Sequence, residues 1–153
     1  MSSDAPSKQG LASALQQYVQ ARSAALLLAR KELRIGELDA RALLYIADHP
    51  GTRPTSLREY LGITSAGVTT LIDRLIERGA VRREVDAEDR RVNRISVTVD
   101  LAGDPWSALT RFDRDFSAAI DAGDQRAMAE FATALAALTM TVTGAGRRAA
   151  EAG

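Results

Sequence analysis

The 153-residue sequence predicts a mainly α fold with a small β wing, and three observations carry that expectation. Apolar residues recur at three- and four-residue spacing through most of the chain, which is the period of an amphipathic helix. Between Val81 and Val99 the period drops to two: Val81, Arg83 and Val85 precede a charged turn, Asp86 to Arg91, and Ile95, Val97 and Val99 follow it, as in a β-hairpin. Two short helices lead straight into that hairpin, the second stopping at a glycine. Helix, turn, helix and hairpin make a winged helix-turn-helix over residues 38–99, with further helices before and after it.

Taken in order, residues 1–9 are rich in Ser, Asp, Pro and Gln and read as a disordered tail. Leu11, Leu15, Val19, Leu26 and Leu27, with many alanines between them, predict a long helix to about Leu33 within residues 10–35. Gly36 and Asp39 mark a break and a new N-cap for a helix through Ala42, Leu43, Ile46 and Ala47, which ends before His49-Pro50-Gly51. Pro54-Thr55 opens a short helix to Leu61. Thr64 is the expected N-cap of the next one, where Ser65, Ala66 and Gly67 lead into Val68, Leu71, Ile72, Leu75 and Ile76. Gly79 suits the left-handed residue that closes it, with Arg78 in the last turn to complement the dipole. After the hairpin, Asp104 as N-cap and Pro105 at the first position predict one helix carrying Trp106, Leu109, Phe112, Phe116 and Ile120. Asp121 to Asp124 interrupts it, a final helix carries Met128, Phe131, Leu135, Leu138 and Val142, and the chain frays from Gly144.

Composition narrows the function classes. With 46% hydrophobic and 26% charged residues the chain fits one globular domain. There is no cysteine, which excludes a disulfide scaffold, a thiolate zinc site and a thiol redox switch. There is no run of eighteen apolar residues and no signal-peptide pattern, so a cytoplasmic location without membrane attachment is expected. His49 is the single histidine, and its place at a helix end suits capping of carbonyls better than ligation. No metal, cofactor, phosphate loop or nucleophile-base pair is indicated, and no enzyme activity is expected.

The net charge is zero, so any nucleic-acid surface must be local. From Arg74 to Arg94 seven arginines face five acids, whereas Val99 to Gly153 holds five arginines against eight acids. One basic edge per chain suits few phosphate contacts, and two chains would double them. The outward face of the Thr64 helix carries Ser65, Thr69, Thr70, Asp73 and Arg74. Short side chains at its start let a helix enter a major groove, while Arg74 further back is placed to reach a phosphate. The helices at 10–35 and 104–145 carry more apolar surface than the winged lobe needs, which points to a homodimer interface.

Several of these residues resemble the DNA-binding lobe of the MarR family of bacterial transcriptional regulators. The similar pieces are Leu43-Leu44-Tyr45-Ile46, the turn Leu57-x-x-Tyr60-Leu61-Gly62-Ile63-Thr64, and Val68-Thr69-x-Leu71-Ile72-Asp73-Arg74-Leu75-x-x-Arg78-Gly79-x-Val81-x-Arg83. The wing, Asp89-Arg90-Arg91 before a strand ending Val97-Thr98, is similar to that family's Asp-x-Arg signature. The resemblance implies a single MarR-like domain that binds double-stranded DNA as a homodimer, commonly as a repressor. It implies DNA contacts from Thr64, Ser65, Ala66, Gly67, Thr69, Thr70, Arg74, Arg90 and Arg91, with Asp89 orienting a wing arginine. It also implies a small aromatic effector between the dimer helices and the winged lobe, for which Tyr18, Tyr45 and Trp106 are candidates, core packing being the alternative for each. A winged-helix protein-interaction module without DNA binding is the competing class, and it leaves the arginine-tipped wing unused.

Overall fold

A computed structural model describes residues 8–89 and 92–151, with side chains over 10–89 and 92–144. Its contacts divide the chain into two compact units, one ending at Phe112 and the other beginning at Asp113. The first holds α1 (Lys8–Leu33), α2 (Glu37–Asp48), α3 (Pro54–Leu61), α4 (Ser65–Glu77), the strands β1 (Val81–Val85) and β2 (Asn93–Val97), and a 3-10 turn at Trp106–Leu109. α5 (Arg111–Asp121) runs across the division, and α6 (Gln125–Glu151) follows it.

One core organises the first unit. Leu43 and Ile46 of α2, Leu57 of α3, Leu71, Ile72 and Leu75 of α4, Ile95 of β2 and Leu109 of the 3-10 turn are all fully buried. The three short helices and the hairpin therefore share one apolar centre. The strands pair antiparallel with Val81 opposite Val97, Arg83 opposite Ile95 and Val85 opposite Asn93. Ile95 also donates its N–H to the Thr52 carbonyl at 2.8 Å, which fastens the hairpin to the turn after α2.

Three helices in this unit end by the same device. Ile35 N–H donates to the Arg30 carbonyl (3.0 Å), Ile63 N–H to Arg58 (3.3 Å) and Ala80 N–H to Leu75 (2.9 Å), each around one left-handed residue that satisfies otherwise orphaned carbonyls. Those residues are Arg34 at φ 53°, Gly62 at 66° and Gly79 at 66°. Gly79 stands where the sequence placed it. The break after α1 does not fall on Gly36: Arg34 turns the chain, and Gly36 is the extended N-cap of α2 at φ −74°. Asp39 is not the N-cap either, although its carboxylate accepts from the Gly36 N–H at 3.4 Å, the reach-back bond of a capping box.

Three other expectations are corrected. β2 stops at Val97 because Thr98 turns to the end of α4, its N–H donating to the Ala80 carbonyl (2.9 Å) and its hydroxyl to that of Gly79 (2.6 Å). Asp104-Pro105 does not open one continuous helix. The Ser107 hydroxyl donates to Asp104 (2.6 Å), burial of Ser107, Ala108 and Leu109 holds a tight turn, and Thr110 closes it by donating to the Leu101 carbonyl (2.8 Å) before α5 starts. Helix also extends into both stretches read as tails, from Lys8 at one end and through Gly144 to Glu151 at the other, while residues 1–7 lie outside the described ones.

In the second unit no residue from Asp113 to Gly144 is buried. Asp124 caps α6 by accepting from the Ala127 N–H at 2.9 Å. Met128, Phe131, Leu135, Leu138 and Val142 alternate spacings of three and four along α6, the seam pattern of a coiled coil. Gln125–Gly144 is long and apolar enough to cross a membrane by length and composition alone. It is not an uninterrupted apolar run, since it includes Arg126, paired with Glu130 at 3.0 Å, and four threonines. The threonine hydroxyls donate to carbonyls four residues back, which hides their polarity within the helix.

Candidate nucleic-acid interface

Burial on one side fixes which face α4 shows. Val68, Leu71, Ile72 and Leu75 are buried, so Ser65, Ala66, Thr69, Thr70, Asp73 and Arg74 are exposed. Thr64 caps the helix as expected, its hydroxyl accepting from the Gly67 N–H at 3.0 Å. Thr69 and Thr70 each donate their hydroxyl proton back to the helix, to the carbonyls of Ser65 and Ala66, both at 3.0 Å. Arg58 reaches across from α3 and donates to the Ser65 hydroxyl at 3.1 Å.

Arg74, expected to project toward a phosphate, reaches to Asp39 of α2 with 45% of its side chain exposed. Its Nε donates to both oxygens of Asp39 at 3.1 and 3.2 Å, and its Nη2 closes a fork on the same carboxylate. The hydrogen bonds that Arg74 donates to Asp39 raise the Arg74 pKa above its already high usual value. One turn later Arg78 donates to the Arg34 carbonyl at 2.8 Å, and from β1 Arg83 pairs with Asp73 at 2.9 Å. The far half of α4 is thus tied to the α1–α2 corner and to the hairpin.

The hairpin turn is organised by Asp86, which the sequence marked only as part of a polar tip. Its carboxylate accepts from the amides of Glu88 (2.9 Å) and Asp89 (3.3 Å) and from the Arg94 guanidinium. These donors hold its pKa down from 3.8 to about 2, with the Glu88 amide the largest cause, then Arg94, then the Asp89 amide. Arg94 also donates to the Gly51 carbonyl at 3.1 Å, so it ties the turn to the base of α2. The Asp89 carbonyl accepts from the Val92 N–H at 2.9 Å. Arg90 and Arg91, the expected wing contacts, lie outside the described residues, as does any orientation of them by Asp89.

Residues 35–92 match the family model described as MarR family. The winged lobe is MarR-like. No curated protein matches the sequence. Among solved structures, a point mutant of S. aureus MepR bound to an oligodeoxyribonucleotide is 18% identical with a TM-score of 0.57, over 86% of this chain and 97% of that one. S. aureus MepR bound to ethidium bromide is 16% identical with a TM-score of 0.62, over 86% and 95%. A MarR-like transcriptional regulator from Thermotoga maritima is 19% identical with a TM-score of 0.62, over 90% and 97%. At these identities the likeness is one of fold, the MarR-type winged helix with helices on either side.

Beside the MarR-like winged elements, α1, α2 and α3 enclose a cleft of about 680 Å³. Its wall includes a ladder of rings: His49 stacks on Tyr45 at 4.3 Å between centroids, Tyr45 on Tyr60 at 4.2 Å, and the Arg41 guanidinium lies 5.4 Å from the Tyr60 ring. Across it Arg30 pairs with Glu37 at 3.0 Å. Of the three residues expected around an effector, Tyr45 lines this cleft. The other two are elsewhere, Tyr18 beside Phe112 at 5.8 Å between rings and Trp106 half-buried on the core. His49 sits at the C-cap of α2, the helix end expected of it, with Nδ1 2.9 Å from the Tyr45 carbonyl.

Sequence reasoning missed Asp39, Arg58, Asp86 and Arg94 as elements of this surface. Asp86 carried a signal, since an aspartate two residues before a turn amide favours an Asx turn. The others act on partners that are distant in sequence and left no local pattern.

Proposed function

We propose that this protein is a sequence-specific DNA-binding transcriptional regulator that acts in the cytoplasm as a homodimer, represses from a pseudo-palindromic operator and is released by a small aromatic effector. The observation that carries the proposal is the division of α4, buried along one side and presenting Ser65, Ala66, Thr69 and Thr70 on the other beside a braced hairpin. A helix with short outward residues at its start can lie close to base edges, and Arg90 and Arg91 at the wing tip would enter the adjacent minor groove. Thr64 and Gly67 shape the helix start through the bond from the Gly67 N–H to the Thr64 hydroxyl, and at that end of the helix they would lie at the edge of the groove. Arg74 would approach DNA only through the part of its side chain that Asp39 leaves exposed.

The homodimer is supported by charge and by apolar surface. Each chain has a small excess of arginine near the hairpin and a net charge of zero, so two chains give the number of phosphate contacts that tight binding needs. The coiled-coil spacing of α6 and exposed Leu27 and Leu28 on α1 are satisfied by a second copy in a closed two-fold arrangement. The effector proposal rests on the cleft, where the stacked rings of Tyr45, Tyr60 and His49 suit a planar aromatic compound. Such a compound acts only through its different affinities for the DNA-competent and incompetent states, and about 1–3 kcal/mol of coupling is enough for a switch.

Sizing at micromolar concentration should give about twice 16.4 kDa. Binding to duplex DNA should weaken steeply as salt rises, because phosphate contacts release counterions. Absence of duplex binding, with capture of a protein partner insensitive to salt, would favour the interaction-module alternative. Aromatic carboxylates and phenols that raise the melting temperature should also release a bound operator; stabilisers that leave DNA affinity unchanged would remove the effector from the proposal.

A further inference from the structure

The outward face of the first two turns of α4 offers methyl groups, and the hydroxyl protons of its two threonines are already committed to the helix. Ala66, Thr69 and Thr70 stand three and four residues apart, so they form one contiguous exposed patch. A threonine hydroxyl carries a single proton. Thr69 gives its proton to the Ser65 carbonyl and Thr70 to the Ala66 carbonyl, both at 3.0 Å. What remains to each is a methyl group and the oxygen lone pairs. Guanine is read by paired donors from Arg or Lys and adenine by Asn or Gln, while thymine is read through apolar contact with its C5-methyl group. From Thr64 to Asp73 the sequence has none of those four polar residue types. The arginines nearest the ends of the patch are engaged, Arg58 with the Ser65 hydroxyl at 3.1 Å and Arg74 with Asp39 at 3.1 Å. Asp73, whose type can accept from a cytosine amino group, pairs with Arg83 at 2.9 Å.

Resting on the DNA-binding function proposed above, we infer that α4 selects thymine: the methyls of Ala66, Thr69 and Thr70 pack on thymine C5-methyl groups in the major groove. Base choice by this helix then depends on apolar contact, with no guanine-reading fork in it.

The test enriches duplexes from a random pool on the full-length protein and remakes the enriched site with deoxyuridine for thymidine, one position at a time. Uracil lacks only the C5-methyl group, so base pairing and the minor-groove edge are unchanged, and any A·T preference of the wing is silent to the exchange. One or more half-site positions should lose affinity roughly fourfold, the amount one buried methyl group is worth. At the same positions 5-methylcytosine should bind better than cytosine. Thr69→Ser and Thr70→Ser keep the hydroxyl that bonds back to the helix and remove the methyl, so one of them should bind thymine and uracil sites equally at its own position. An enriched site indifferent to uracil at every position overturns the inference and leaves DNA binding standing. So does full uracil discrimination in both serine variants and in Ala66→Gly. Failure to enrich any duplex overturns the DNA-binding proposal and the inference together.

Discussion

Asp39, only 3% exposed in the first turn of α2, accepts a two-nitrogen fork from Arg74, thirty-five residues further on in α4. The carboxylate has left water almost entirely, and its ionised form is tolerable because a guanidinium and the Gly36 amide replace the lost solvent. Removing the cation strands a buried charge, which costs more than the pair itself contributes.

Arg74→Ala should therefore destabilise the fold by about 2 kcal/mol, below the usual cost of breaking a buried pair because the arginine side chain is 45% exposed. Asp39→Ala should cost a similar amount, and the double variant should cost clearly less than the sum. Urea denaturation of the four proteins gives the coupling. Strictly additive losses would show that the two side chains stabilise independently.

Acid should loosen the hairpin turn before the core. The folded pKa of Asp86, about 2, lies below its ordinary 3.8, so the stabilisation from its ionised form is complete above roughly the higher value and is lost as pH falls through the lower. Protection factors at Glu88 and Asp89, in which the intrinsic pH dependence of amide exchange is divided out, should fall across that window in the native sequence. In Asp86→Asn protection should already be low at neutral pH and change little below it; an unaltered acid response in that variant would remove Asp86 from the account.

Two left-handed positions should respond oppositely to substitution. At Gly79 an added Cβ meets nothing within 4 Å, so Gly79→Ala is penalised by backbone conformation alone, by about 1 kcal/mol. Arg34 already bears that strain at φ 53°, and Arg34→Gly should relieve it and stabilise by up to ~1 kcal/mol. The carbonyl that Arg78 uses is retained. Thermal melts moving in the same direction for both variants would contradict the shared geometry of the helix ends.

If α6 forms the seam between two copies, Leu138→Glu should convert the protein to monomers and weaken operator binding with it. Met140→Glu is the control, at a residue 73% exposed and off the three-four repeat, and should leave the assembly intact. Light scattering distinguishes the two. Loss of assembly in neither variant would place the seam elsewhere.

The elements at the candidate interface are legible in the sequence because their signals are local. Thr64 before an apolar repeat, Gly79 after it and the change from helical to alternating spacing at Val81 each act within a few residues. The same local rules misplace what depends on tertiary partners. Asp39 fits an N-cap by type, yet its burial against Arg74 decides its place. Arg34 has no glycine to announce a left-handed turn, and the burial of Ile35 and the Arg78 bond hold it there. The helical spacing from Trp106 to Ile120 hides a break because Leu109 enters the core while Phe116 remains exposed. Tyr18, Tyr45 and Trp106 share a chemistry but not a location.

The contacts from Arg74 to Asp39 and from Arg78 to Arg34 both grip the last two turns of α4, whereas the residues proposed to read bases start at Ser65. Thirteen residues of helix separate Ser65 from Arg78, roughly 20 Å at 1.5 Å per residue. With Val68 and Leu71 in the core and Ser65 held by Arg58, the helix moves with the winged lobe as one body. A tilt of about ten degrees at the α1–α2 corner moves the tip by about 3.4 Å, one base-pair step along the duplex axis. A rotation too small to disturb the secondary structure is thus large enough to put the proposed reading face a full base pair out of register.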